Sequence, residues 1–267
     1  MLHDEFIDHL ATLPSLDSMP AAADGQAPKL ANRLPDGSEN TDMIAPASAA
    51  IAGQGVIGFV AGVSQQARED VLNSYTYATL AADKRYNVIT QNGEWYGVFR
   101  EAMRKALNWA PQDISFSYSK SREKVLGMDK VGLKLLASTL AAAGTGGAAG
   151  PLILQVASEA VEALKDNDEP LTIFDSRTKK SGGTRFMVGG CSESEDGVIV
   201  LAVGAVELAT SLNSKKGFFM SWNSVEVDIQ RSADVFVLNQ SLYAARRHKV
   251  RDALLATSDS AFLEFPI

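Results

Sequence analysis

Phe186-Met187-Val188-Gly189-Gly190-Cys191-Ser192, an acidic turn to Gly197, and then the apolar run Val198 to Val206 form the stretch whose reading decides the fold. The second segment, Gly197 to Leu208, is apolar on both parities. Val198, Val200, Ala202 and Val206 point one way, and Ile199, Leu201, Val203 and Ala205 the other. A strand of that kind is covered on both sides. Thr184 to Cys191 reads as its neighbour, and the short connection predicts an antiparallel pair. Cys191 is the only cysteine in 267 residues, and it follows two glycines.

Working outward, the C-terminal side first reads as more strand. Gly217 to Trp222 continues through Val225, Val227 and Ile229. Asp228 or Ser232 then caps a long last helix, with Val235, Phe236, Leu238, Leu242, Tyr243, Val250 and Leu254 on its core face. Arg246, Arg247, His248, Lys249 and Arg251 make a basic turn late in that helix, where cations complement the helix dipole. The tail Phe262 to Ile267 is apolar enough to dock as an edge strand.

On the N-terminal side, Leu171 to Phe174 reads as a strand. Two helices of small residues precede it, one from Asp129 to about Ala143 and one opening at Pro151. Ile114, Phe116 and Tyr118 alternate with serines, a half-buried strand. A helix from Asn92 carries Trp95, Val98, Phe99 and Met103 on one side and Arg100, Arg104 and Lys105 on the other, a solvated basic face. Ser64 is placed to cap a helix from Gln65 to Arg85. The expected fold class is α+β: an antiparallel β-sheet in the C-terminal half, wrapped by α-helices from the N-terminal half and one long C-terminal helix. Residues 1–45, rich in Pro, Ala, Asp and Gly without a period, are expected to be a flexible N-terminal arm, and 46–267 a single domain.

Composition narrows the function. A net charge of −7 argues against nucleic-acid binding, which needs a basic stripe. One cysteine excludes an internal disulfide. The acidic start, Met1-Leu2-His3-Asp4-Glu5, is no secretory signal, so a location reached without a classical signal peptide is expected. Two spans without charge, Asp42 to Arg68 and Lys134 to Glu159, exceed the roughly 20 residues that cross a bilayer. Both are Ala/Gly/Ser/Thr-rich, so packed internal helices are expected, with membrane insertion by 46–63 and 131–164 as the toxin-like alternative.

Chemical motifs are few. Gly53-Gln54-Gly55-Val56-Ile57-Gly58 has the letters of a dinucleotide loop, but an Ala-rich stretch precedes it and a helix occupies the place of the second strand. The three histidines, His3, His9 and His248, have no zinc spacing, so no metal site is expected. No G-x-S-x-G elbow exists, and no catalytic residue is assigned. A thiol enzyme would need Cys191 with His248, which sits among cations that disfavour an imidazolium partner. Cys191 then has two readings. One is a small buried side chain. The other is a covalent attachment point, with Phe186, Val188, Gly189, Gly190, Ile199, Leu201 and Val203 lining an apolar tunnel for a fatty acyl chain.

Gln65-Gln66-Ala67-Arg68-Glu69-Asp70-Val71-Leu72-Asn73-Ser74, then Leu80 to Lys84, Trp95-Tyr96, Leu107-Asn108-Trp109 and the late Leu238-Asn239…Tyr243…Arg246 pattern resemble the Erwinia virulence factor (Evf) family over about residues 60–267. That family consists of α/β proteins that help bacteria persist in the insect gut and carry a palmitate thioester on a cysteine in the last third of the chain. The resemblance implies a non-enzymatic virulence protein, with palmitate on Cys191 as its lipid and a host membrane as partner.

Overall fold

The structure is a computed structural model that describes residues 45–121, 127–144, 149–180, 183–208, 217–219, 227–257 and 263–266. The expected arm at 1–45 lies, but for Ala45, outside the described residues. The fold is mixed α+β. One eight-stranded sheet runs through it: β1 (Ser48–Ala52), β2 (Gly55–Phe59), β3 (Trp109–Ser121), β4 (Lys179–Lys180), β5 (Gly183–Glu193), β6 (Ile199–Leu208), β7 (Val227–Leu238) and β8 (Leu263–Pro266). The spatial order is β3-β7-β6-β5-β2-β1-β8, with β4 paired to β5. All pairs are antiparallel except β2 on β5.

The stretch that opened the reading is the middle of this sheet. β5 and β6 pair with Cys191 opposite Leu201 and Gly189 opposite Val203. Every described side chain of β6 except Val200 is buried, because helices cover both sheet faces. On one face lie α1 (Gln65–Asp83), α2 (Asn92–Glu101) and α7 (Arg247–Leu255). On the other lie α3 (Met128–Ala142), α4 (Ala149–Asp166) and α5 (Asp168–Thr178). The remaining helix, α6 (Gln240–Ala244), is one turn long.

The helix starts follow local chemistry. Ser64 accepts the Ala67 amide at 3.2 Å and so caps α1 as its sequence position predicts. Asp129 lies in the first turn of α3, and the cap position is Gly127. α2 runs directly into a π-turn, Ala102–Ala106, before Asn108 at φ +60° turns the chain into β3. The C-terminal tail pairs with β1 as an edge strand, as expected.

Four elements depart from the sequence expectations. Val227–Leu238 is the strand β7, so the long final helix becomes a strand and two short helices. Apolar residues at 227, 229, 233, 235 and 237 keep a two-residue period, which fits the sheet. Leu171–Phe174 lies within helix α5, and Gly217–Phe219 is a single 3₁₀ turn. Residues 48–59 form a β-hairpin around Gly53 and Gln54, and the expected helix there is absent. Three strands, β1 to β3, therefore come from the first half of the chain.

Small residues in the hairpin have a packing role. A Cβ on Gly58 would sit 2.3 Å from the Val156 carbonyl oxygen, and one on Gly190 would sit 2.3 Å from that of Ile153. Strands β2 and β5 thus press against the backbone of α4, and only glycine fits there. Among the described residues, no helix is long and apolar enough to cross a membrane.

Candidate functional site

Cys191 sits two residues before Glu193, the half-buried last residue of β5, and is fully buried. Its side chain joins the core between the sheet and α1–α2. Its backbone carbonyl accepts the Val60 amide at 2.9 Å, so the turn from Val60 to Ser64 closes over this end of the strand. Two residues on, Glu193 accepts the Ser64 amide at 2.7 Å and ties β5 to the start of α1. Burial pushes the Cys191 thiol well up, Glu193 adds to the rise, and Arg68 opposes it. The thiol is therefore protonated, the inert form of the group.

The expected tunnel residues divide between the two sheet faces. Ile199, Leu201 and Val203 share the face of Cys191, whereas Phe186 and Val188 belong to the core against α3–α5. The sheet itself separates the two groups, so the seven residues do not line one channel. The space left by the glycines is also used. The Gly190 position is closed by Ile153 of α4, and the Gly189 position faces the Ala202 carbonyl and the Val203 side chain. The lining available to the sulfur is the core of its own face, in which Ile57, Phe59, Val63, Val71 and Phe236 also lie.

A second constellation lies on the same face, and the sequence reading did not single it out. Arg185 and Glu207, opposite each other on β5 and β6, form an ion pair at 2.8 Å with both side chains buried. The Arg185 guanidinium also stacks on Trp95 of α2 at 3.6 Å from the ring centre. Nearby on β7, fully buried Asp234 accepts the Tyr96 hydroxyl at 2.9 Å and pairs with Arg100 at 2.7 Å. Burial raises the Glu207 carboxyl from 4.5 to about 7, while Arg185 and an Asn92 hydrogen bond hold it lower than burial alone would. Desolvation, then Asp234, push the Tyr96 phenol well up. Both Nη atoms of Arg185 are buried without a hydrogen-bond partner among the described residues. The signal was present in the letters: Arg185 and Glu207 are charged residues inside two strands that, apart from Glu193 at the end of β5, are otherwise apolar on that face.

Other candidates are not assembled. His248 is exposed on α7 while Cys191 lies inside the core, so the pair a cysteine nucleophile requires is not formed. Gly53 and Gln54 make the hairpin turn, and the strand–loop–helix setting of a dinucleotide site is absent from it. No group of metal-ligating side chains occurs among the described residues. His3 and His9 lie outside those residues.

No family model matches the chain, and no curated protein does. Two solved structures are weakly similar. The structure of the Evf virulence factor aligns at 10% identity and a TM-score of 0.33, over 78% of this chain and 82% of that one. A delta-endotoxin aligns at 12% identity and a TM-score of 0.40, over 77% of this chain and 90% of that one.

Proposed function

We propose that this chain is a non-enzymatic, virulence-type protein that carries a fatty acyl group, palmitate in the first instance, as a thioester on Cys191. The observation that carries the reading is the position of the thiol: fully buried, facing an apolar core, and only two residues from Glu193, the half-buried last residue of its strand. The resemblance of the 65–109 and 238–246 patterns to the Evf family points the same way. The lipid would enter the core between the sheet and α1–α2 and displace side chains there. Burial stabilises an acyl chain by about 0.8 kcal/mol per CH₂, so a long chain contributes on the order of 10 kcal/mol, similar to the stability of a whole domain.

The transfer is thioester exchange with an acyl-thioester donor. A new bond forms between the acyl carbon and the Cys191 sulfur, the donor's carbon–sulfur bond breaks, and the donor leaves as a thiol carrying the proton. A buried, protonated thiol is a poor nucleophile. Transfer therefore takes place while the Val60–Ser64 turn and the start of α1 are open.

Intact mass of the bacterially expressed chain tests this. The expected result is a gain of one fatty acyl group that neutral hydroxylamine removes and that Cys191→Ser lacks. An unmodified mass in cells that hold acyl donors would leave Cys191 as a packed core thiol and end the proposal. The membrane-inserting alternative draws no support from the hairpin at 48–59 or from α3 and α4, whose apolar faces are occupied by the sheet.

A further inference from the structure

Two basic clusters far apart in sequence meet on the surface. The guanidinium of Arg246 donates to the Lys105 carbonyl at 2.8 Å and to the Ala106 carbonyl at 3.0 Å. The π-turn after α2 and the start of α7 are thereby one surface. It presents Arg104, Lys105, Arg246, Lys249 and Arg251, all exposed. Nearby anions are fewer. Glu101 pairs with Lys105, buried Asp70 accepts from Nε and Nη2 of Arg247, Glu69 of α1 also acts on Arg247, Asp252 is the exposed carboxylate of α7, and Asp196 lies beside Gln240 of α6. Arg104, Lys249 and Arg251 make no ion pair among the described residues. A chain of net charge −7 thus concentrates cations on one face.

The same helices carry exposed apolar side chains. The described residues include four exposed large hydrophobics, and two of them, Leu242 at 56% and Leu255 at 76%, lie on α6 and α7. Val250 and Leu254 turn the buried side of α7 inward. Spacing of three and seven residues puts His248, Arg251 and Leu255 together on an outward stripe. Cations with aliphatic tips between them suit a surface that is anionic and also has an apolar layer beneath its charge. A nucleic acid would use the cations and leave the leucines without a partner.

We infer that the face formed by the π-turn, α6 and α7 docks on an anionic lipid bilayer, with Leu255 and Leu242 entering the headgroup layer and the surrounding cations meeting lipid phosphates and carboxylates. The inference does not rest on acylation of Cys191. It requires no spanning helix.

The test is sedimentation of the full chain with vesicles of phosphatidylcholine and phosphatidylserine, against vesicles of phosphatidylcholine alone. It is run in parallel on the Cys191→Ala form, so that binding through an attached lipid is read separately. The expected result is binding to the anionic vesicles by both forms, little binding to the neutral ones, and release on raising salt from about 0.1 M to about 0.5 M. Lys249→Glu with Arg251→Glu is expected to weaken binding by roughly 30-fold or more, and Leu255→Ser by roughly 5-fold. Thermal unfolding of each variant confirms that these exposed changes leave the fold intact. The inference is overturned if the Cys191→Ala form does not bind anionic vesicles, if neutral vesicles bind equally well, or if the double reversal leaves binding unchanged. Displacement from the vesicles by a single-stranded oligonucleotide at equal phosphate concentration would also overturn it, in favour of a general polyanion site.

Discussion

The two faces of the sheet are built on opposite plans. On the α3–α5 face, backbone meets backbone: Gly58 and Gly190 let α4 lie against β2 and β5, and Gly132 of α3 approaches Gly204 of β6. The side chains of that core cluster are aliphatic or phenyl, with Phe174 edge-on to both Phe186 and Phe218 and those two rings tilted against each other, and the buried Asp129 at the start of α3 pairs with Lys165. On the α1–α2 face the spacing is filled by Tyr75, Trp95, Tyr96 and Phe99, and the same layer encloses Arg185, Glu207, Asp234 and the thiol. One face maximises contact; the other encloses an ion pair with both partners buried. Buried charges contribute little to stability beyond what apolar residues of the same volume would.

The sharpest way to break this comparison is to remove one member of the buried pair. Glu207→Ala leaves the Arg185 guanidinium buried against Trp95 with no counter-ion, and it is expected to cost about 4 kcal/mol in urea unfolding. Arg185→Met combined with Glu207→Leu should recover most of that loss. If the double variant is as unstable as the single one, the charges are structural and the contrast between the faces fails. On the other face the equivalent test is Gly190→Ala. Its methyl group would meet the Ile153 carbonyl at 2.3 Å, and overpacking against backbone of this kind costs about 3 kcal/mol. A neutral result would mean that α4 can shift away from β5.

The smallest effect is in pH dependence, and it concerns the charged face alone. The Glu207 carboxyl is raised in the folded state from 4.5 to about 7. Between those values the folded chain binds the proton and the unfolded chain does not, so this group's contribution is fully present below pH 4.5 and is lost as pH rises through 7. The urea midpoint of the native protein should therefore fall from pH 5 to pH 8 more steeply than that of Glu207→Gln. Parallel profiles for the two would show that Glu207 is ionised throughout and that its pairing with Arg185 outweighs burial.

Much of the architecture was legible before any coordinates. The double parity of 198–206, the alternation around Phe116 and the 3.6-residue periods of α1 to α4 are local properties of the chain, and each element formed where its pattern lay. The errors have a common cause. Ala49, Ala50, Ile51 and Ala52 are too small and uniform to show a period, and they become a strand because β2 and β8 pair with them on either side. Val235, Phe236 and Leu238 fit a helix as well as a strand, and pairing with both β3 and β6 decided for the strand. Hydrogen bonds from two neighbouring strands outweigh a weak local preference.

The candidate site divides along the same line. That Cys191 lies inside a strand of a covered sheet follows from the residues around it. Which neighbours it shares does not. Alternation along β5 and β6 sorts side chains into two sets, but no sequence pattern says which helices cover each set. Packing placed Leu201 and Val203 with the sulfur, put Phe186 and Val188 on the far side, and brought Arg246 to the carbonyls of Lys105 and Ala106 across 140 residues. Periodicity is set by neighbours along the chain and can be read there. The partner of each face is set by long-range closure of the sheet and its helices, and only the folded molecule determines it.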